Sequence, residues 1–327
     1  MNLARDLAWQ NLDLAYRSSV AHQFARYSLG LNYESLPQDV VHQGKRCLLD
    51  ALGCAIGAYE SPGRPICEAV VKELGGPEEA TVFGSGLRTS APNATLVNSF
   101  LVRFLDYNDN GGGCHNSDAI PGILAVSERE RASGRDFLTS LVISYELGAR
   151  IPEAVTGEQI GGHGGFENRG WTMDVRGGLN MPPALGKLMG LDEEEIANAI
   201  GACACRSLPL GILDANREEC VMSKNLRFGF IVYDAILSCM LAKKGFTGPL
   251  RVVEGHNGLR DVIFQGDLDL GRMVDFSGWR ILGTRHKSLC ANTTTQGHIS
   301  ATLALVKEHD LKPEDIAAVR IKSSLRE

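Results

Sequence analysis

NSFLVRFLDYNDNGGGCHNSDAIPGILAVSE, residues 98–128, is the stretch on which the reading of the fold turns. Its first third is apolar, with Leu101, Phe104 and Leu105 at helical spacing. An acid- and amide-rich turn follows, Asp106-Tyr107-Asn108-Asp109-Asn110, then three glycines, Cys114 and His115. From Ile120 a second helix is expected. Helix, polar connector, helix is the pattern of an α protein with carboxylates, amides and an imidazole on a loop between packed elements. Such loops are where scaffolds most often carry chemistry. The competing reading is a solvated turn in which glycine supplies tight backbone geometry. Asp106 falls at the last turn of the first helix, facing the negative end of its dipole, which costs a few tenths of a kcal/mol. A residue that breaks a local rule points toward function.

Outward from this stretch the chain reads almost wholly as helix to about residue 250. Residues 3–28 form a helix with a mixed face. Ser35-Leu36-Pro37-Gln38 opens a long one, with Ser35 as cap, Gln38 reaching back and Pro37 in the first turn. Val40, Gly44, Cys47, Leu48, Ala51, Leu52 and Ala55 make its buried face. A short helix near Arg64–Leu74 and a strand at Ala80–Phe83 come next, and Ser90-Ala91-Pro92 starts the helix that ends at Asp106. Ser133-Gly134-Arg135-Asp136 opens another, kinked or ended by Pro152, and a helix over Asp174–Met189 is disturbed by Pro182-Pro183. Asp192 to Glu195 caps the next, with acids at its positive end. Met222–Lys244 is the clearest helix, with a stripe of Leu226, Phe230, Tyr233, Ile236, Leu237, Met240 and Leu241 and a Gly245 stop. The texture then changes. Phe276–Leu289 and Ala317–Ser323 read as strands around a helix at Thr293–His309. The fold class is therefore mainly α: an all-helical domain over residues 1–265, then a smaller α+β unit over residues 266–327.

Composition narrows the function. The chain has 327 residues, 44% hydrophobic and 22% charged, which suits a globular protein with a large core. Lys plus Arg (33) against Asp plus Glu (39) gives a net charge of −6, and no basic stripe occurs, so nucleic acid is not an expected partner. The first twenty residues hold no uninterrupted apolar run, so no secretory signal or membrane anchor is expected there. Nine cysteines, several within apolar runs, point to reduced thiols and a cytoplasmic protein. Cys203-Ala204-Cys205 has no matching pair elsewhere, so a zinc site is not expected. Gly84-Ser85-Gly86 lacks the rest of a dinucleotide fingerprint and Gly186-Lys187 the rest of a phosphate loop; H-E-x-x-H and G-x-S-x-G do not occur. No cofactor and no metal are expected. Chemistry must run on side chains.

Several polar residues each admit two readings. Lys224, at the start of an apolar helix, is either a lysine snorkelling to solvent or a clamp for a substrate carboxylate. Arg285-His286-Lys287 is a second basic cluster beside the polar run Asn292 to Gln296, and in isolation it reads as a solvated strand end. His163 sits among glycines, and Cys114 adjoins His115, although sequence neighbours rarely meet as nucleophile and base.

Separated motifs then agree in order. Tyr33-Glu34-Ser35-Leu36-Pro37, Leu48 to Cys54, Glu79 to Gly84, Ala91 to Asn98, Leu105 to Asp109, His115, Gly190 to Glu194 and Gly245 to Pro249 resemble the MmgE/PrpD family, which includes 2-methylcitrate dehydratase and cis-aconitate decarboxylase. The resemblance implies a helical domain plus an α+β lid, usually in a dimer, with the active site between them. It implies a cofactor-free lyase acting on a small di- or tricarboxylic acid such as 2-methylcitrate, with decarboxylation or epimerisation as related outcomes. Carried over by position, Asp106, His115, Lys224 and Lys287 are the catalytic residues. Asn110 stands where threonine is common, Asn292 where a lid histidine is often found, and Thr172 where decarboxylase-like members carry histidine; these three become substrate-binding positions. Asn108 replaces the middle acid of the signature. The family also continues past the position of Glu327, which implies a second polypeptide supplying the rest of the lid, or an abridged, non-catalytic subunit.

Overall fold

The computed structural model describes residues 14–111, 115–156, 170–214, 219 and 221–322. Its helices are α1 (Val20–Gly30), α2 (Gln38–Gly57), α3 (Gly63–Leu74), α4 (Ala91–Phe104), α5 (Ile120–Glu130), α6 (Gly134–Glu153), α7 (Gly177–Leu188), α8 (Glu193–Ala204), α9 (Arg227–Ala242) and α10 (Gln296–His309), with shorter turns between them. A two-stranded antiparallel hairpin, β1 (Ala80–Thr81) and β2 (Arg88–Thr89), pairs Ala80 with Thr89 and Thr81 with Arg88. The protein is mainly α, and no helix among the described residues is long and apolar enough to cross a membrane.

Local chemistry explains the boundaries. Ser133 and Asp136 form a reciprocal capping box at the start of α6, as Asp192 and Glu195 do for α8. Arg131, in the left-handed region, ends α5. α4 is buried along nearly its whole length, with α2, α3, α5 and α9 around it. α7 is equally enclosed by α6, α8 and α9. That enclosure carries α7 through Pro182 and Pro183 without ending it. Two glycines permit close approaches between these helices. A Cβ on Gly122 of α5 would sit 2.2 Å from Val232 of α9, and one on Gly178 of α7 2.7 Å from the Ala204 backbone of α8.

Five expectations need correction. The helix expected over residues 3–28 is interrupted at Ser18-Ser19, where the Ser19 side chain accepts from the His22 N–H and starts α1 afresh; residues 1–13 lie outside the described part. Ser35 does not cap α2. It closes a short turn with Asn32, and Pro37 takes the cap position without a side-chain bond. The expected stripe on α9 is rotated: of its residues Ile236 is buried, together with Phe228, Ile231, Val232, Ala235 and Cys239, while Phe230 is 57% exposed. Apolar residues cover most of the helix, so periodicity could not choose its face. Phe276–Leu289 forms no strand; it holds a short helical turn, Arg280–Gly283, and one isolated bridge at Arg285. Residues 317–322 are irregular and exposed, and Ser323 lies outside the described residues.

The reason for the missing strand lies in α6. Glu146 and Arg150, both fully buried, are paired at 2.6 Å. Glu146 also accepts the backbone N–H groups of Arg280 (3.1 Å) and Ile281 (2.8 Å), and Arg150 donates to the carbonyls of Asp275 (2.8 Å) and Ser277 (3.2 Å). Side chains of a helix therefore satisfy the polar backbone that a neighbouring strand would have served. Ile281 and Met273 join the main core, Gln43 of α2 donates to Thr284 O at 3.2 Å, and Asn110 and Arg285 exchange backbone hydrogen bonds at 2.8 and 2.9 Å. This fastening delivers Lys287 to the connector between α4 and α5.

Candidate active site

Asp106 is the first residue past the C-cap of α4, and its φ of +47° lies in the left-handed region, which Asp tolerates better than most side chains. Its N–H still bonds to Arg103 O at 3.0 Å. Four positive or basic groups gather round its carboxylate. Lys287 Nζ is 2.9 Å from Oδ1, Lys224 Nζ 3.4 Å from Oδ2, Arg103 Nη1 3.8 Å from Oδ1, and His115 Nε2 3.9 Å from Oδ1. Lys287 also donates to the Asp106 carbonyl at 2.5 Å. The Lys287 side chain is 3% exposed and that of Lys224 17%. Lys224 arrives on the short turn Met222–Asn225 that leads into α9.

Burial would raise the Asp106 carboxyl, but Arg103 and Lys287 outweigh it and hold the group well below the usual carboxylate range. Burial lowers Lys287, against the pull of Asp106. Burial, reinforced by Arg103 and Lys287, keeps the His115 imidazole well below its ordinary value and therefore neutral. Its tautomer follows from its partner. Nδ1 lies 2.6 Å from Asp109 O, a carbonyl that only accepts, so Nδ1 carries the hydrogen. Nε2 then presents a lone pair on the Asp106 side.

Beneath these groups is a buried polar floor. The Asp109 carboxylate accepts from Tyr145 Oη at 2.7 Å and from the Ser117 hydroxyl at 2.7 Å, and its N–H donates to Asp50 of α2 at 3.0 Å. Asn108 donates to Ser117 Oγ (3.0 Å) and Asp118 (2.8 Å). Asp118 faces Arg103 at 4.0 Å, and burial pushes its carboxyl up to about 6. Arg176 donates to His115 O at 3.0 Å and to Asn116 at 2.8 Å. Asp174, paired with Arg227, is held below its usual value: burial would raise it, but Arg227, Arg176 and Arg103 together prevail. The loop is thus pinned from α2, from α6 and from the turn Met173–Arg176 that precedes α7. The side chains placed to hold a ligand are cationic and suit an anion. Among the described residues no three His, Cys, Asp or Glu side chains come together in a way suited to a metal ion.

Residues 22–270 match the model of the MmgE/PrpD N-terminal domain. The chain belongs to the MmgE/PrpD family. It is similar to a cis-aconitate decarboxylase of Aspergillus terreus, 25% identical over 259 residues covering 76% of this chain and 51% of that protein. It is also similar to a 2-methylcitrate dehydratase of Escherichia coli strain K12, 26% identical over 246 residues covering 72% and 50%, and to a cis-aconitate decarboxylase-like protein of Aspergillus oryzae, 23% identical over 267 residues covering 78% and 53%. The chain spans about half the length of these curated relatives.

Of the positions carried over from the MmgE/PrpD pattern, Asp106, His115, Lys224 and Lys287 stand together. The other three make local bonds. Asn110 Nδ2 donates to Thr293 Oγ1 at 3.2 Å. Thr172 is buried and its hydroxyl caps a turn by accepting from the Asp174 N–H at 3.1 Å. Asn292 is exposed and caps the turn before α10, accepting from Thr294. His163 and Cys114 lie outside the described residues. Sequence reasoning passed over Arg103, Tyr145 and the buried Arg176. The signal for Arg103 was present: it is the one charged residue in the run Ser99 to Leu105.

Proposed function

We propose that this chain carries the anion-binding and proton-transfer side of a cofactor-free lyase that removes water from a small di- or tricarboxylic acid, with 2-methylcitrate as the first compound to test. The observation that supports this most is the convergence of Arg103, Lys224, Lys287 and His115 on the Asp106 carboxylate. Loss of water next to a carboxylate needs a base for the α-proton and an acid for the departing hydroxyl. His115 Nε2 takes the α-proton, and the released electron pair forms the new C=C bond as the neighbouring C–O bond breaks. Lys287, whose ammonium is weakened by burial, protonates the hydroxyl as it leaves as water. Asp106, held ionised, is a poor acid, and its part is to orient the two lysines. Lys224 and Arg103 stabilise the enolate-like charge on the substrate carboxylate. Each well-placed proton transfer contributes about 10²–10⁴-fold. Decarboxylation or epimerisation through the same carbanion is the alternative outcome.

In this reading residues 266–327 begin a lid over the helical domain of residues 1–265, with Met273 and Ile281 as its foot on the core. The active form is a cytoplasmic homodimer. A second reading, a subunit completed by another polypeptide, is favoured by α10, which buries no residue and exposes Leu303 and Leu305 at 54% and 52%. The test is water loss from 2-methylcitrate, followed by the absorbance of the product double bond, with CO₂ release from cis-aconitate measured beside it. His115→Ala and Lys224→Ala are expected to abolish turnover. Unchanged rates in both variants would discard the assignment.

A further inference from the structure

The wall of the site holds a cation that the proposed reaction does not use. Asn110, Gly111, Gly283, Arg285, Lys287 and Thr293 border an open cleft of 480 Å³, within the range of sites that take small organic ligands. Asn110 and Arg285 are directly opposed in an antiparallel bridge. Residues so paired project to the same face, so the guanidinium of Arg285 stands on the side of Asn110, toward the cleft.

The basic side chains of this cleft differ in their partners. Lys287 is gripped by Asp106. His286 faces the Asp50 carboxylate at 3.4 Å. Arg285 is exposed, and among the described residues it has no ion pair, its hydrogen bonds being the two backbone bonds to Asn110. Its backbone N–H and C=O are thus both fixed to Asn110, and the residue borders the cleft. A guanidinium in that position matches a carboxylate bidentately, which an ammonium cannot do.

We propose that Arg285 is a specificity residue forming a second carboxylate subsite. One carboxylate of the substrate meets Lys224 and Arg103 at the reacting end, and another, farther from the reacting carbons, is taken by Arg285 across the cleft. The site then selects acids with two or three carboxylates over acids with one. This rests on the carboxylate chemistry proposed for the Asp106 cluster, which the cleft adjoins through Lys287.

The test is calorimetric titration of the purified chain with tricarballylate, a tricarboxylate, and with propionate, a monocarboxylate. Wild type is expected to hold tricarballylate more tightly. Arg285→Ala weakens tricarballylate about tenfold or more, as loss of a bidentate charged contact implies, and leaves propionate unchanged. Arg285→Lys retains part of the preference, and Lys224→Ala weakens both acids. Arg285 is exposed, so its variants keep the fold, which circular dichroism verifies. The proposal is overturned if wild type shows no preference, or if Arg285→Ala weakens both acids equally or neither. Should Arg285 govern the preference while His115→Ala leaves turnover intact, the dehydration reading falls and the subsite stands.

Discussion

Lys287 Nζ lies 2.9 Å from Asp106 Oδ1 and 2.5 Å from Asp106 O, so one ammonium holds both the side chain and the backbone of a residue in the left-handed region. Lys287→Met removes both bonds and leaves Asp106 with Lys224 and Arg103. Breaking a fully buried pair costs 3–5 kcal/mol; with two cations remaining, a loss of about 2 kcal/mol is expected in urea unfolding. Asp106→Asn should cost less in the Lys287→Met background than in wild type, because the Lys287 contact is already gone. Strictly additive losses would argue that the pair is not coupled.

The pH dependence has a definite sign at His115. Its folded value is depressed by burial, Arg103 and Lys287, so below about 6.5 the unfolded chain takes a proton that the native state refuses. Stability therefore falls as pH drops through that value, and His115→Gln should flatten this limb. In proton NMR the His115 ring signal should hold its neutral position through pH 6. Titration at an ordinary histidine pKa would refute the buried neutral imidazole.

Asp106 titrates lower, with the same slope. Its folded value is depressed by Arg103 and Lys287 against burial, so its contribution is complete above the unfolded value of about 4 and is lost as pH falls further. Asp106→Asn should leave less acid sensitivity below pH 4 in thermal melts. An unchanged acid limb would mean that the carboxylate gains nothing from its cations.

Tyr145→Phe tests the floor of the site. Tyr145 Oη donates to the buried Asp109 carboxylate at 2.7 Å, and its loss leaves one oxygen of that group short of a donor. A cost of about 1–3 kcal/mol is expected in thermal or denaturant melts. Turnover should fall as well, since Asp109 O holds the His115 ring. A variant as stable as wild type would show that the phenol is not needed there.

Glu146→Gln tests the clamp on residues 275–281. Glu146 serves Arg150 and the N–H groups of Arg280 and Ile281 at once. Loss of this charge is expected to cost about 3–5 kcal/mol and to raise hydrogen exchange at Ile281 and beyond before the helical core opens. Exchange that rises equally everywhere would mean the segment is not separately anchored.

Much of the helical body was legible because its signals are local. Ser133 with Asp136, and Asp192 with Glu195, are capping boxes written within four residues, and Pro92 beside Ser90 marks the entry to α4. What failed depended on distant partners. Phe276–Leu289 has strand-like composition, but Glu146 and Arg150, more than a hundred positions earlier, take its backbone groups. The face of α9 is not legible in the sequence because only packing against α4, α7 and α8 selects it. For the site, spacing gave no preference between a snorkelling Lys224 and a clamping one; the family resemblance named Asp106, His115, Lys224 and Lys287. Arg103 was missed because a lone cation in an apolar helix reads as a solvated exception until its burial is seen.

The contacts from Asp106 to Lys224 and to Lys287 close loops of 118 and 181 residues. Closing loops of that size is entropically unfavourable and slow compared with winding a single helix. The charge cluster is therefore expected to be among the last features to appear on refolding and among the first to scatter on unfolding. Catalytic competence should return after the far-ultraviolet signal has recovered, a delay that stopped-flow mixing can resolve.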